Sequence, residues 1–168
     1  MWEKVVKIPP QKVKRQVSGM FTGEHTQKMD TKGRTIVPAK FREELGESLV
    51  VTRGLDGCLF AYSKTAWEAL EEKLSSLPFA DKNIRDFNRF FLAGAHDLET
   101  DKLGRVLMPA VLRKFALLEK EVVWVGVGNR IEIWSVDKWN EQMSAYLEGD
   151  DVEARIDDLA AYMAEKGI

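Results

Sequence analysis

From residue 20 onward the chain alternates between stretches of period two and stretches of period three to four, and the order of those stretches occurs twice. Residues 22–29 read as a strand. Asp30-Thr31-Lys32-Gly33 carries turn chemistry, because Asp bonds nearby backbone and Gly accepts positive φ. Residues 34–37 resume as a strand that Pro38 ends, and residues 39–45 predict a short helix closed at Gly46. Two apolar runs, 49–52 and 58–62, flank Gly54-Leu55-Asp56-Gly57 and predict a β-hairpin. Ser63 caps a helix with Ala66, Trp67, Leu70 and Leu74 on one face, which stops before Pro78. Asp81 caps another, striped by Ile84, Phe87, Phe90 and Phe91.

The plan then recurs. Residues 101–104 are the turn, 105–108 the strand, 110–116 the short helix, and 122–127 with 130–134 the hairpin. Ser135 caps a helix to about Leu147, with Trp139, Met143 and Tyr146 or Leu147 inward. Residues 152–165 are helical by pattern but acidic, an end that either frays or docks.

Aligning Asp30 with Asp101 makes six of thirteen positions identical: Asp30, Gly33, Arg34, Pro38, Ala39 and Arg42 with Asp101, Gly104, Arg105, Pro109, Ala110 and Arg113. Ile36 and Leu107, Val37 and Met108, and Phe41 and Leu112 are apolar in both copies. After a one-residue slip, Tyr62-Ser63 is echoed by Trp134-Ser135 and Trp67 by Trp139. One such unit leaves strand edges and an apolar face open, so it needs a partner, and the second copy supplies one. The expected fold is α+β with a mainly β core, two units packed about a pseudo-twofold axis. Its divisions are an N-terminal extension over 1–19, disordered or non-native with Met20 an alternative start, a first repeat over 20–80, a connecting helix over 81–98, a second repeat over 99–147, and an acidic C-terminal helix or tail over 148–168.

Composition narrows the function by exclusion. The apolar run 122–127 is far too short for a bilayer, and the basic residues before Met20 are followed by no long apolar stretch of a secretory signal. A lone Cys58 excludes an intramolecular disulfide or a multi-cysteine zinc site, and His25 and His96 have no ligand-spaced companions. No base–nucleophile pair stands out, so no enzyme, cofactor, metal or small-molecule substrate is expected. Gly126 and Gly128 are not a dinucleotide fingerprint, since no helix follows them directly. The acidic stretches 68–73 and 150–158 read as solvated helix faces. Net charge is −2, with +4 in residues 1–19, −5 in 146–168 and −1 between them, so any polyanion site must be a local patch multiplied over subunits.

The chemistry worth duplicating is Asp-x-x-Gly-Arg. A turn that folds Asp30 onto Arg34, and Asp101 onto Arg105, holds each guanidinium at a fixed angle, suited to phosphate oxygens or the O6/N7 edge of guanine. Lys32 and Lys102 add charge at the loop tips at different offsets. Residue types alone leave a second reading open, in which each pair only tightens a turn.

Met20-Phe21-x-Gly23 before Asp30-x-Lys32-Gly33-Arg34, then Phe91-Leu92-x-Gly94-Ala95-His96 before Asp101-x-x-Gly104-Arg105, resembles the MraZ family over about residues 20–147. The resemblance implies an AbrB-like swapped-hairpin β-barrel with flanking helices, and ring-shaped homo-oligomers. It further implies a cytoplasmic, nucleoid-associated transcriptional regulator, encoded at the head of the division and cell-wall gene cluster and bound to direct repeats in its own promoter. Carried onto this chain, it makes Arg34 the residue most tied to double-stranded promoter DNA, with Arg105 its counterpart. Lys32 and Lys102 would meet phosphates, and Asp30, Gly33, Asp101 and Gly104 would orient the loops. Two rivals remain: an oligomeric interaction protein whose loops merely fix turns, and an AbrB-like antitoxin whose C-terminal helix binds a toxin. The doubled motif argues against the antitoxin, which carries a single unit.

Overall fold

A computed structural model describes residues 20–168, so the extension read over 1–19 lies outside the described residues. The first unit runs β1 (Phe21–Lys28), β2 (Arg34–Ile36), α1 (Ala39–Leu45), β3 (Ser48–Arg53), β4 (Leu59–Tyr62) and α2 (Lys64–Ser75). After α3 (Lys82–Phe91) the second unit repeats it as β5 (His96–Glu99), β6 (Arg105–Leu107), α4 (Ala110–Ala116), β7 (Glu121–Gly128), β8 (Ile131–Ser135) and α5 (Val136–Leu147), and α6 (Val152–Glu165) follows. The caps read from the sequence form: Ser63 Oγ accepts from Ala66 N at 3.1 Å, Ser135 Oγ from Lys138 N at 3.1 Å, and Asp81 Oδ1 from Asn83 N at 2.9 Å.

Each unit forms its own hairpin, β3 with β4 and β7 with β8, and its remaining strands pair across to the other unit. β1 lies antiparallel to β7 and β5 antiparallel to β3, so the first strand of either unit completes the hairpin of its neighbour. The larger sheet has the order β1-β7-β8-β4-β3-β5, and β2 and β6 make a separate two-stranded ribbon. The expected barrel is therefore corrected to two sheets, with no closure among the described residues; the mixed α+β class stands. Phe60 pairs with Glu132, and Thr35 with Val106, each residue facing its own counterpart in the other copy. The pseudo-twofold axis thus passes through both pairs.

Period two places apolar side chains on both faces of the large sheet. Leu49, Val51, Leu59, Ala61, Val122 and Trp124 join Phe41 of α1 and Leu112 of α4 in one core. Val50, Phe60, Tyr62, Val123, Val125 and Trp134 pack with Trp67 of α2 and Phe91 of α3 in another. The first core fixes α1 and α4 beneath the ribbon, where Thr35 and Val106 point inward and are buried.

The connecting helix expected over 81–98 is shorter. α3 ends at Phe91, and His96–Glu99 is a strand. Its sequence, His-Asp-Leu-Glu, buries only Leu98, so almost no local apolar pattern marks it. It exists because β3 offers an edge, to which it pairs from Ser48↔Glu99 to Val51↔His96. α6 forms as expected, with no buried residue.

Candidate functional site

Both Asp-x-x-Gly-Arg loops fold alike, bond for bond. Asp30 N donates to Arg34 O at 2.9 Å and Gly33 N to Asp30 O at 3.0 Å; Asp101, Arg105 and Gly104 repeat this at 2.9 and 3.0 Å. Asp30 Oδ1 accepts the backbone N–H groups of Lys32 (3.0 Å) and Arg34 (2.9 Å). Asp101 Oδ1 accepts those of Leu103 and Arg105, both at 2.9 Å. The second carboxylate oxygen takes the arginine: Arg34 Nε donates to Asp30 Oδ2 at 2.7 Å and Arg105 Nε to Asp101 Oδ2 at 2.8 Å.

These bonds favour the ionised carboxylate. Asp30 is pulled down from its ordinary 3.8 to about 2, most by the Arg34 backbone N–H. Partial desolvation opposes this, while the Arg34 side chain, the Lys32 N–H and the Arg34 charge reinforce it. Asp101 shifts the same way, led by the Arg105 backbone N–H.

Among the described residues, the side chain of each arginine is engaged through Nε alone. The side chains of Arg34 and Arg105 keep 35% and 30% of their surface exposed, and among the described residues no bond within the chain takes their terminal Nη groups. The ribbon register, Arg34↔Leu107, Thr35↔Val106 and Ile36↔Arg105, puts both arginines on one outer face at diagonally opposite corners. Two fixed cations therefore share one surface, each presenting the two-donor end of its fork. Lys32 and Lys102 are exposed at the two loop tips. The lysines are not counterparts: Lys32 corresponds to Leu103, and Lys102 to Thr31.

Sequence reasoning missed two features. Arg42 and Arg113 are identical in the repeat, yet they gain a role only through the crossing of the units. A Cβ added to Gly33 would lie 2.6 Å from Arg113 Nε, and one on Gly104 would overlap the Arg42 guanidinium. Each loop glycine thus seats an arginine from the other unit's short helix. Arg113 Nε also donates to Met108 O at 3.0 Å, whereas Arg42 Nε is buried with no acceptor among the described residues. The second feature is that Ile36 and Leu107, apolar in both copies, stand exposed on the outer face of the ribbon. The alternation of the strand implied two faces without saying which is covered.

The histidines stand apart from this cluster. His25 sits in β1, its ring edge-on to Phe41 at 5.1 Å, and His96 Nδ1 lies 2.9 Å from Gly94 O. Among the described residues no helix is long and apolar enough to cross a membrane, and no group of three His, Cys, Asp or Glu side chains is placed to hold a metal.

The profile of the family described as "MraZ protein, putative antitoxin-like" matches residues 20–90 and again residues 91–158. A Halothermothrix orenii protein named Transcriptional regulator MraZ is 51% identical over 149 residues, covering 89% of this chain and all of that relative. Proteins of the same name from Carboxydothermus hydrogenoformans and Pelotomaculum thermopropionicum are 49% identical over 146 residues and 57% over 120. The first alignment covers 87% of this chain and 98% of the relative, the second 71% and 83%.

Proposed function

The chain belongs to the MraZ family, and from that premise we propose that it regulates transcription by binding double-stranded promoter DNA sequence-specifically, as a ring-shaped homo-oligomer. The observation that carries this reading is the placement of Arg34 and Arg105 on one exposed face of a two-stranded ribbon, each held through Nε by its own aspartate. A major groove about 12 Å wide admits such a ribbon. A guanidinium held at Nε offers both Nη donors end-on, which matches the paired acceptors O6 and N7 of guanine. Lys32 and Lys102, exposed at the loop tips, reach phosphates on either side.

One ribbon makes few contacts and the chain is weakly acidic overall, so affinity rests on several ribbons in one ring engaging successive direct repeats at high effective concentration. The crossed pairing of β1 with β7 and β5 with β3 is our ground for reading the fold as the swapped arrangement of AbrB-like proteins. The target promoter is the one ahead of its own gene in the division and cell-wall cluster, which places the protein at the nucleoid in the cytoplasm.

A gel shift with the DNA upstream of its own coding sequence tests this. Arg34→Ala should abolish specific retention while the mass in solution stays that of the wild type. Wild-type affinity should fall steeply between low and moderate salt, because each phosphate contacted releases counterions. Unchanged affinity for Arg34→Ala, or a flat salt response, overturns the reading.

A further inference from the structure

Of the apolar pairs that the repeat duplicates, Val37 with Met108 and Phe41 with Leu112 are buried to 1% exposure or less. Ile36 and Leu107 break that rule at 41% and 56%. Because Arg34 pairs with Leu107 and Ile36 with Arg105, the four side chains form one outer face, with the two aliphatic groups on one diagonal and the two cations on the other. Thr35 and Val106, on the opposite face, are each 1% exposed, so the fold's need for apolar contact here is already met. Nothing in the core requires residues 36 and 107 to be aliphatic.

Whatever covers this face must offer apolar groups set among anionic or acceptor groups. A second copy of the ribbon does not, since it would bring four guanidinium groups together. The major groove does: it displays guanine acceptors, and its one purely apolar base-edge group is the thymine 5-methyl. Resting on the DNA-binding reading above, we propose that Ile36 and Leu107 are specificity-determining residues that pack on thymine methyl groups beside the bases read by Arg34 and Arg105. Residues two apart on a strand lie about 6.8 Å apart, so each thymine falls within about two base steps of a guanine contact.

The test compares two duplexes of the upstream DNA, identical except that one carries deoxyuridine in place of every thymidine. Binding by the wild type and by the Ile36→Ala/Leu107→Ala variant is followed by fluorescence anisotropy. The wild type should bind the uracil duplex about fourfold more weakly for each methyl contacted, the ordinary effect of burying one methylene-sized group. The variant should bind both duplexes alike, and more weakly than the wild type binds the thymine duplex. Equal wild-type affinity for the two duplexes overturns the proposal, a comparison that stands even if the variant does not fold. Discrimination retained by the variant, or a changed subunit number in it, also overturns the proposal, the latter by assigning the pair to a contact between copies. If the wild type binds neither duplex, the DNA-binding reading itself falls.

Discussion

Gly33 and Gly128 share nearly the same backbone angle, φ +93° and +101°, but a side chain added to each meets different surroundings. At Gly128 nothing lies within 4 Å of a new Cβ, so Gly128→Ala costs only the strain of positive φ, about 1–3 kcal/mol. At Gly33 the Cβ would sit 2.6 Å from Arg113 Nε and 2.8 Å from its Cζ, so the guanidinium must swing away. Doing so breaks the 3.0 Å bond to Met108 O, in a part-buried setting where such a bond is worth about 1–2 kcal/mol net. Gly33→Ala should therefore destabilise the protein by about 1–2 kcal/mol more than Gly128→Ala. Urea unfolding at matched protein concentration measures the difference, provided the m-values agree. Arg113→Ala adds a second check: it should cost about 1–2 kcal/mol less in the Gly33→Ala background than in the wild type, the bond being already lost. Equal destabilisation by the two glycine variants to within about 0.5 kcal/mol, or strict additivity with Arg113→Ala, would refute the idea that the second unit's helix seats its arginine on the first unit's loop.

Two further outcomes follow from the same geometry. Asp30, ordinarily titrating at 3.8 and here near 2, stabilises the loop fully above about pH 4, and that contribution is lost as pH falls toward 2. Its side-chain carboxyl carbon, followed by NMR, should show the low midpoint, and titration near 3.8 would remove the bracing role. Cys58 is buried at the hairpin turn with Sγ 3.2 Å from Leu55 O, and burial pushes its thiol well above the ordinary range. At pH 8 a disulfide reagent should therefore find almost no reactive thiol until guanidinium unfolds the chain, and immediate stoichiometric reaction contradicts the burial.

What was legible from the sequence was whatever a short window encodes. The caps at Ser63, Asp81 and Ser135, the short helix Ala39–Leu45 and the Asp–Arg clamps all depend on residues within four positions of one another. What escaped depends on pairing between the units. β5 has a single buried residue and is a strand only because β3 has an edge to fill. The apolar stripe of α3 stops at Phe91, where the helix ends, yet the expected span ran on to residue 98, although the repeat itself demands a strand ahead of the second turn, as β1 precedes the first. Arg42 and Arg113 stood out as identical, but their resting places on Gly104 and Gly33 belong to the opposite unit and have no local signature.

On the DNA-binding reading, the pseudo-twofold axis through Thr35 and Val106 also bears on which arrangement of sites the ribbon would select. A perfectly twofold ribbon would read the same in either orientation, as dimeric proteins do on inverted sites. This one is not perfectly twofold. Lys32 occupies the loop position held by Leu103 in the other copy, and Lys102 stands where the first has Thr31, so the positive charge sits at a different point of each tip. The seating is unequal as well, since Arg113 Nε has Met108 O and Arg42 Nε has no acceptor among the described residues. Phosphate contacts set orientation and register on a duplex. On the proposed reading, the two ends of the ribbon therefore prefer different phosphates, and each subunit lies on the DNA in one direction. In the proposed ring, rotation gives every subunit's ribbon the same sense, and ribbons with a fixed direction in that arrangement would fit repeats that all point the same way.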